Sequence, residues 1–270
     1  MVVKKVSIRT DHTQAELTTY FQDNSPEMGM DRKRPVVLIC PGGGYGFLSD
    51  REAEPVALRM CGMGFHACVL RYSIAPEVFP AALWELAASV SWLREHAEEY
   101  HLDENRIVVC GFSAGAHLAG SIGVFWNREF LAGLTGLSAE QMRPDGLILC
   151  YPVVTSGEFA HQGSFENLLG KDCADEEKRT LVSLEKQVTA DMPRTFLWHT
   201  FADDAVPVEN SLLLAQAMRE AGVPFELHIF PDGVHGLSLA DAETDNGTGD
   251  QIVPECAVWP ALAADWIRRG

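Results

Sequence analysis

The sequence predicts an α/β fold, a mostly parallel central sheet with helices on both faces. Three observations lead there. Continuous apolar runs recur along the chain, as strands covered on both faces require. Stretches with apolar residues at three- and four-residue spacing separate them, so strands and helices alternate. The 270 residues are enough to bury one large core. No internal repeat, low-complexity tract or dividing linker interrupts 1–270, which reads as one domain.

Residues 2–9 and 15–21 carry β-branched and aromatic residues in near alternation. They read as two edge strands joined by a polar turn over Asp11 to Gln14. Pro26, Gly29 and the charges at 31–34 make a loop. Pro35-Val36-Val37-Leu38-Ile39-Cys40 is a buried strand that ends abruptly in Pro41-Gly42-Gly43-Gly44-Tyr45-Gly46. Helical spacing over 50–61 stops near Gly62 and Gly64. Phe65 to Arg71 is a second buried strand, and a loop with Pro76 and Pro80 follows. Residues 81–100 are the best helix, with Leu83, Leu86, Val90, Leu93 and Ala97 in register. Arg106 to Cys110 is a strand, and a small-residue helix follows over 116–122. Gly146 to Tyr151 is another strand. Residues 154–192 break the rhythm, being mixed and polar with a helical stretch near 175–187. An insertion of this length reads as a lid or binding loop. Arg194 to His199 and Phe225 to Phe230 resume the strands. Pro207 through Ala221 is a helix with Pro near its start and Gly222 after its end, and 257–269 is a closing helix.

A net charge of −17 argues against nucleic acid and anionic membrane surfaces, which repel it. It favours a neutral or weakly charged ligand. Of the seven cysteines, positions 40, 68, 110 and 150 lie in apolar strand-like runs, where free cysteine behaves as a small hydrophobe. This usage predicts a reducing compartment. No signal peptide is read after Met1-Val2-Val3-Lys4-Lys5 and no run reaches membrane-span length, so a cytoplasmic location is expected. Self-association is left open.

Gly111-Phe112-Ser113-Ala114-Gly115 falls where a strand turns sharply into a helix. A G-x-S-x-G in that context presents a serine on a strained elbow, and Gly111 and Gly115 remove Cβ atoms that would collide. The hydroxyl then sits over the positive end of a helix dipole. A serine hydroxyl needs a base, usually a histidine oriented by a carboxylate. Both follow later strands, in the order Ser, Asp, His: Asp203 and Asp204 in Ala202-Asp203-Asp204-Ala205-Val206-Pro207, and His235 in Asp232-Gly233-Val234-His235-Gly236. Strand ends on one edge of a parallel sheet are where such sites assemble. An anionic intermediate needs amide donors, and the glycine run after Cys40 and the amide of Ala114 are placed to supply them. His117, His199 and His228 sit within regular elements and read as structural. Tyr45 is a candidate substrate-lining residue, with core packing as its other reading. No spaced ligand motif such as H-E-x-x-H appears, so no metal and no cofactor is expected.

The combination P-G-G-G-Y, G-F-S-A-G, D-D-A-V-P and D-G-V-H-G resembles the α/β-hydrolase esterases, close to the acetyl-xylan-esterase and lipase-like group of BD-FAE type. The resemblance runs from about residue 35 to the C-terminus. It implies an α/β-hydrolase fold and a serine esterase removing short acyl groups from a small-molecule ester, with acetyl on sugars as one candidate. It also implies Ser113 as nucleophile, His235 as base, Asp203 as the triad acid, and Gly43, Gly44 and Ala114 as oxyanion donors. Asp204 is then placed to cap the helix beginning near Pro207. The commoner H-G-G-G motif has Pro41 here in the histidine's place. A small peptidase, an arylformamidase-like amidase and a catalytically silent binding protein are the alternatives on the same architecture.

Overall fold

The structure, a computed structural model, describes residues 1–11 and 13–269. In chain order the sheet and its covering helices are β1 (Val2–Arg9), β2 (Gln14–Phe21), β3 (Arg34–Cys40), α1 (Glu54–Gly62), β4 (His66–Arg71), α2 (Ala81–Glu95), β5 (Leu102–Phe112) and α3 (Ala114–Phe125). Then come α4 (Glu129–Thr135), α5 (Ala139–Met142), β6 (Gly146–Cys150), α6 (Gln162–Leu169), α7 (Glu176–Leu181), β7 (Thr195–Thr200), α8 (Glu209–Ala221), β8 (Phe225–Phe230) and α9 (Trp259–Arg269). Among the described residues the strands form one eight-stranded sheet in the order β1-β2-β4-β3-β5-β6-β7-β8. From β4 to β8 neighbouring strands are parallel, while β2 is antiparallel to both β1 and β4.

The continuous apolar runs are explained by a sheet buried on both sides. Val36, Leu38 and Cys40 of β3 join a cluster with Leu83, Leu86 and Val90 of α2, Ile122 of α3 and Leu214 of α8. The intervening Val37 and Ile39 face the opposite cluster, with Val56 and Met60 of α1 and Ile267 of α9. Strand geometry sends successive side chains to opposite faces, so every position of such a strand is apolar. All residues of α3 are buried, and its small side chains admit close neighbours. A Cβ on Gly120 would lie 2.5 Å from Leu184 Cδ1, and one on Gly123 2.4 Å from Leu147 Cδ1.

Several expectations change in detail. Of the two strands expected at an edge, β1 lies at one and β2 does not, because β2 is paired on both sides. Part of the turn expected over 11–14, at position 12, lies outside the described residues. The helix expected over 81–100 ends at Glu95, and the rings of Trp92, His96 and Tyr100 stack across the turns that follow. The region 50–61 is a 3-10 turn (Asp50–Glu52) and then α1, which has Pro55 in its first turn. Segment 154–192 contains α6 and α7. The expected helical stretch near 175–187 matches α7 and a short 3-10 turn at Leu184–Lys186, whereas α6 was not expected.

Candidate active site

The elbow is held in a conformation that few residues tolerate. Ser113 has φ 53° and ψ −117°, outside the regions L-residues ordinarily occupy. Such a backbone persists where its surroundings over-determine it. Here the Ser113 N–H donates to Cys150 O at 3.0 Å, and its carbonyl accepts from Val153 N at 3.2 Å and from Ala116 N and His117 N at 3.1 Å each. A Cβ on Gly111 would meet Gly115 O at 2.2 Å, and one on Gly115 would meet Cys40 O at 2.1 Å. The two glycines are therefore required by close backbone approach.

Three side chains from three strand ends meet here. His235 Nε2 lies 2.8 Å from Ser113 Oγ, and His235 Nδ1 lies 2.7 Å from Asp203 Oδ2. A carboxylate only accepts, so Nδ1 carries the proton and Nε2 is left bare to accept from the serine hydroxyl. The carboxylate is fixed by four donors. Oδ1 accepts from Ala205 N at 3.0 Å and Val206 N at 2.8 Å, and Oδ2 also faces His199 Nε2 at 3.3 Å. Burial alone would raise the Asp203 pKa. Hydrogen bonds from His199 and His235, the charge of His235 and the Val206 amide together hold it well below the usual carboxylate range. Asp204 is exposed, and the cap expected of it is absent: Val208 precedes α8 with no side-chain cap bond. It is Asp203 that binds the amides of this turn.

The glycine loop is pinned one peptide at a time. Gly42 N–H donates to Glu52 Oε2 at 2.8 Å, and Gly42 O accepts from Ser49 N at 3.0 Å. Gly43 O accepts from Gly46 N at 2.9 Å and Phe47 N at 3.1 Å, and Gly44 O accepts from Asn167 Nδ2 at 2.9 Å. In a trans peptide the N–H points opposite to the C=O of the preceding residue. Anchoring the Gly42 and Gly43 carbonyls therefore turns the Gly43 and Gly44 amides the other way. Among the described residues, neither of these amides nor that of Ala114, the first residue of α3, is engaged in a hydrogen bond. Gly43 has φ 129°, and a Cβ there would strike Phe47 O at 2.1 Å. Gly43, Gly44, Ser113 and His235 line one cleft, and His161 and Asn167 line it as well.

Tyr45 does not line that cleft. Its side chain is buried, its hydroxyl lies 2.9 Å from His117 Nδ1, and its ring packs edge-on to Tyr72. The loop turns the Tyr45 side chain back into the core. In the place of the missing H-G-G-G histidine, Pro41 O accepts from the Tyr72 hydroxyl at 2.6 Å.

Four site residues, Glu52, Tyr151, His161 and Asn167, are not singled out by the sequence, and a fifth, His199, reads there only as structural. Glu52 is buried, accepts from Gly42 N–H, and accepts from the Tyr151 hydroxyl at 2.6 Å. Tyr151 in turn accepts from Ser238 N at 2.9 Å and sets its ring edge-on to His235 at 5.1 Å. His199 braces Asp203, and His161 and Asn167 come from the insertion. Among the described residues no group of three or more His, Cys, Asp or Glu is arranged to hold a metal ion. No helix among them is long and apolar enough to cross a membrane.

A strained serine between a parallel strand and a buried helix, on a sheet of this order, defines the α/β-hydrolase fold. Within that fold, the chain belongs to the BD-FAE family, whose model matches residues 25–218. The carboxylesterase Cest-2923 from Lactobacillus plantarum WCFS1 superposes with a TM-score of 0.89, at 30% identity over 100% of this chain and 98% of that one. The acetyl ester-xyloside bifunctional hydrolase from Caldicellulosiruptor lactoaceticus gives 0.80, at 37% identity over 96% of this chain and 89% of its own. An endo-1,4-β-xylanase B from Butyrivibrio fibrisolvens is 39% identical over 226 residues, 80% of this chain and 34% of that protein. The acetylxylan esterase of Xylanibacter ruminicola is 28% identical over 241 residues, 86% of this chain and 47% of its own length. The chain thus spans less than half the length of these two curated relatives.

Proposed function

We propose that this chain is a serine esterase that removes short acyl groups, acetyl in particular, from sugars or xylo-oligosaccharides. The observation that carries the reading is the unbroken hydrogen-bond chain from Ser113 through His235 to Asp203. Ser113 Oγ attacks the ester carbonyl while His235 Nε2 takes its proton. Asp203 keeps the ring in the Nδ1–H tautomer and stabilises the imidazolium that forms. The amides of Gly43, Gly44 and Ala114 receive the oxyanion. Each such donor contributes about 3–4 kcal/mol to the transition state. His235 then protonates the leaving alkoxide, and water releases the acyl enzyme by the reverse sequence. The acetyl and sugar specificity is supported by the names of the relatives, an acetylxylan esterase and an acetyl ester-xyloside hydrolase.

The test is a panel of acyl esters of graded chain length that includes acetylated xylo-oligosaccharides, with N-formylkynurenine as an amide competitor. Acetyl esters are expected to be turned over fastest. Ser113→Ala should abolish turnover and fluorophosphonate labelling while the thermal transition persists. Wild-type activity in that variant would refute the mechanism.

A further inference from the structure

His161 enters the cleft from the insertion and has no part in the mechanism above. It precedes α6, and its Nδ1 accepts from Ser164 N at 3.2 Å and lies 2.8 Å from Ser164 Oγ. A ring nitrogen that accepts an amide N–H bears no proton, so the neutral ring carries its hydrogen on Nε2. Among the described residues that Nε2 has no hydrogen-bond partner, and the ring lines the same cleft as Ser113 and His235. Its Cε1 edge faces the glycine loop, 3.9 Å from where a Cβ on Gly44 would stand. Burial, and then the charge of His235, lower its pKa against an opposing pull from Asp203, and the net lowering favours the neutral ring.

We propose that His161 is a substrate-binding residue whose Nε2–H donates to a hydroxyl on the alcohol portion of the ester, selecting esters of sugars and other polyols over those of plain alcohols. The proposal rests on the serine-esterase reading. The oxyanion already has its amide donors, and His235 delivers the proton to the leaving oxygen. A neutral donor that lines the same cleft as Ser113 and His235 and takes no part in either task is free to meet the alcohol portion of the ester. The cleft continues over Ser49, Asp50 and Arg51, which suit a hydroxylated molecule. Phe47, 63% exposed at the same cleft, offers a flat apolar surface to the CH face of a pyranose. A site built to hydrogen-bond a hydroxyl discriminates against the analogue that lacks it, because its buried polar group is left unpaired.

Two variants separate recognition from helix capping. Asparagine is a good N-cap, so His161→Asn keeps an acceptor for Ser164 N–H and removes the donor that reaches the cleft. His161→Gln keeps a donor at the far end of the side chain and gives up the cap. The two substrates are a monoacetylated methyl xyloside and cyclohexyl acetate, equal in ring size and unequal in hydroxyls. The wild type is expected to favour the xyloside. His161→Asn should lower kcat/KM on the xyloside about tenfold, mainly through KM, the scale of one hydrogen bond, and leave cyclohexyl acetate within about twofold. His161→Gln should preserve the wild-type preference. Loss in His161→Gln but not in His161→Asn would mean that the histidine only caps the helix, and equal losses on both esters would mean that it does not read the alcohol. Either result overturns the proposal. No turnover of either ester by the wild type, with Ser113 unreactive to a fluorophosphonate, would overturn the esterase reading and this proposal with it.

Discussion

The carboxylate of Glu52 accepts a 2.6 Å hydrogen bond from the Tyr151 hydroxyl beneath the glycine loop. Its other oxygen holds Gly42 N–H. One buried side chain thus ties the loop after β3 to the loop that carries His235, because Tyr151 also takes the Ser238 amide. Both partners of Glu52 are donors, and a carboxamide can satisfy only one of them. Glu52→Gln should cost about 1–3 kcal/mol of stability in denaturant titration. On the proposed mechanism it should also reduce kcat about tenfold with KM little changed, because the loop amides proposed to receive the oxyanion would drift. A stable variant with unaltered kcat would separate the loop from catalysis.

The neighbouring carboxylates should behave in opposite ways. Asp203 contacts His235 and two backbone amides, whereas Asp204 is exposed. Asp203→Asn should lower kcat on an activated acetyl ester by about 10⁴-fold, as loss of the orienting carboxylate does in such triads. Asp204→Asn should stay within about twofold. Similar losses in both variants would refute the assignment.

Glycines divide sharply by what surrounds them. Gly115→Ala would put a Cβ 2.1 Å from Cys40 O and should destabilise the protein by about 3 kcal/mol or more, if it folds at all. Gly133 lies within α4 with nothing inside 4 Å of an added Cβ. Gly133→Ala should raise stability by up to about 1 kcal/mol through helix propensity. Thermal melts of the two variants check both signs.

Acid should weaken the fold partly through His117. Its ring is buried, with Nδ1 2.9 Å from the Tyr45 hydroxyl and Nε2 2.8 Å from Val182 O. Burial pushes its pKa down to about 4. The unfolded chain binds a proton at this group once the pH drops below about 6.5, while the native ring stays neutral. Its contribution is therefore complete above about pH 6.5 and shrinks as the pH falls toward 4. Between pH 7.5 and 5 the loss from this group is on the order of 2 kcal/mol. His117→Gln should be less stable than wild type at pH 7.5 yet lose less on acidification. Parallel pH curves from urea titrations would assign the effect to other groups.

The fold was legible in the sequence because burial on both faces leaves local traces. Uninterrupted apolar strands such as 35–40 and the three-and-four spacing along α2 need no knowledge of partners. Ser113, Asp203 and His235 were legible because each follows a strand, and a parallel sheet gathers those ends. Other residues left weaker traces. Glu52 looks like an ordinary helical acid until Gly42 and Tyr151 close on it from 10 and 99 positions away. The α6 segment has Phe165, Leu168 and Leu169 at helical spacing, but Gly163 and its short length hide the pattern. His161 and Asn167 were missed with it. His199 reads as structural from its place in a strand, and its contact with Asp203 depends on how the following turn folds back.

The Asn167 amide is the last support of the glycine loop, and it belongs to the insertion rather than to the sheet. On the reading proposed above, a helix that helps choose the substrate also braces the loop whose amides receive the oxyanion. Grafting a foreign lid here to accept a different ester would therefore loosen the catalyst while widening its taste. Successful swaps would need to carry over an amide at this position, or supply an equivalent prop.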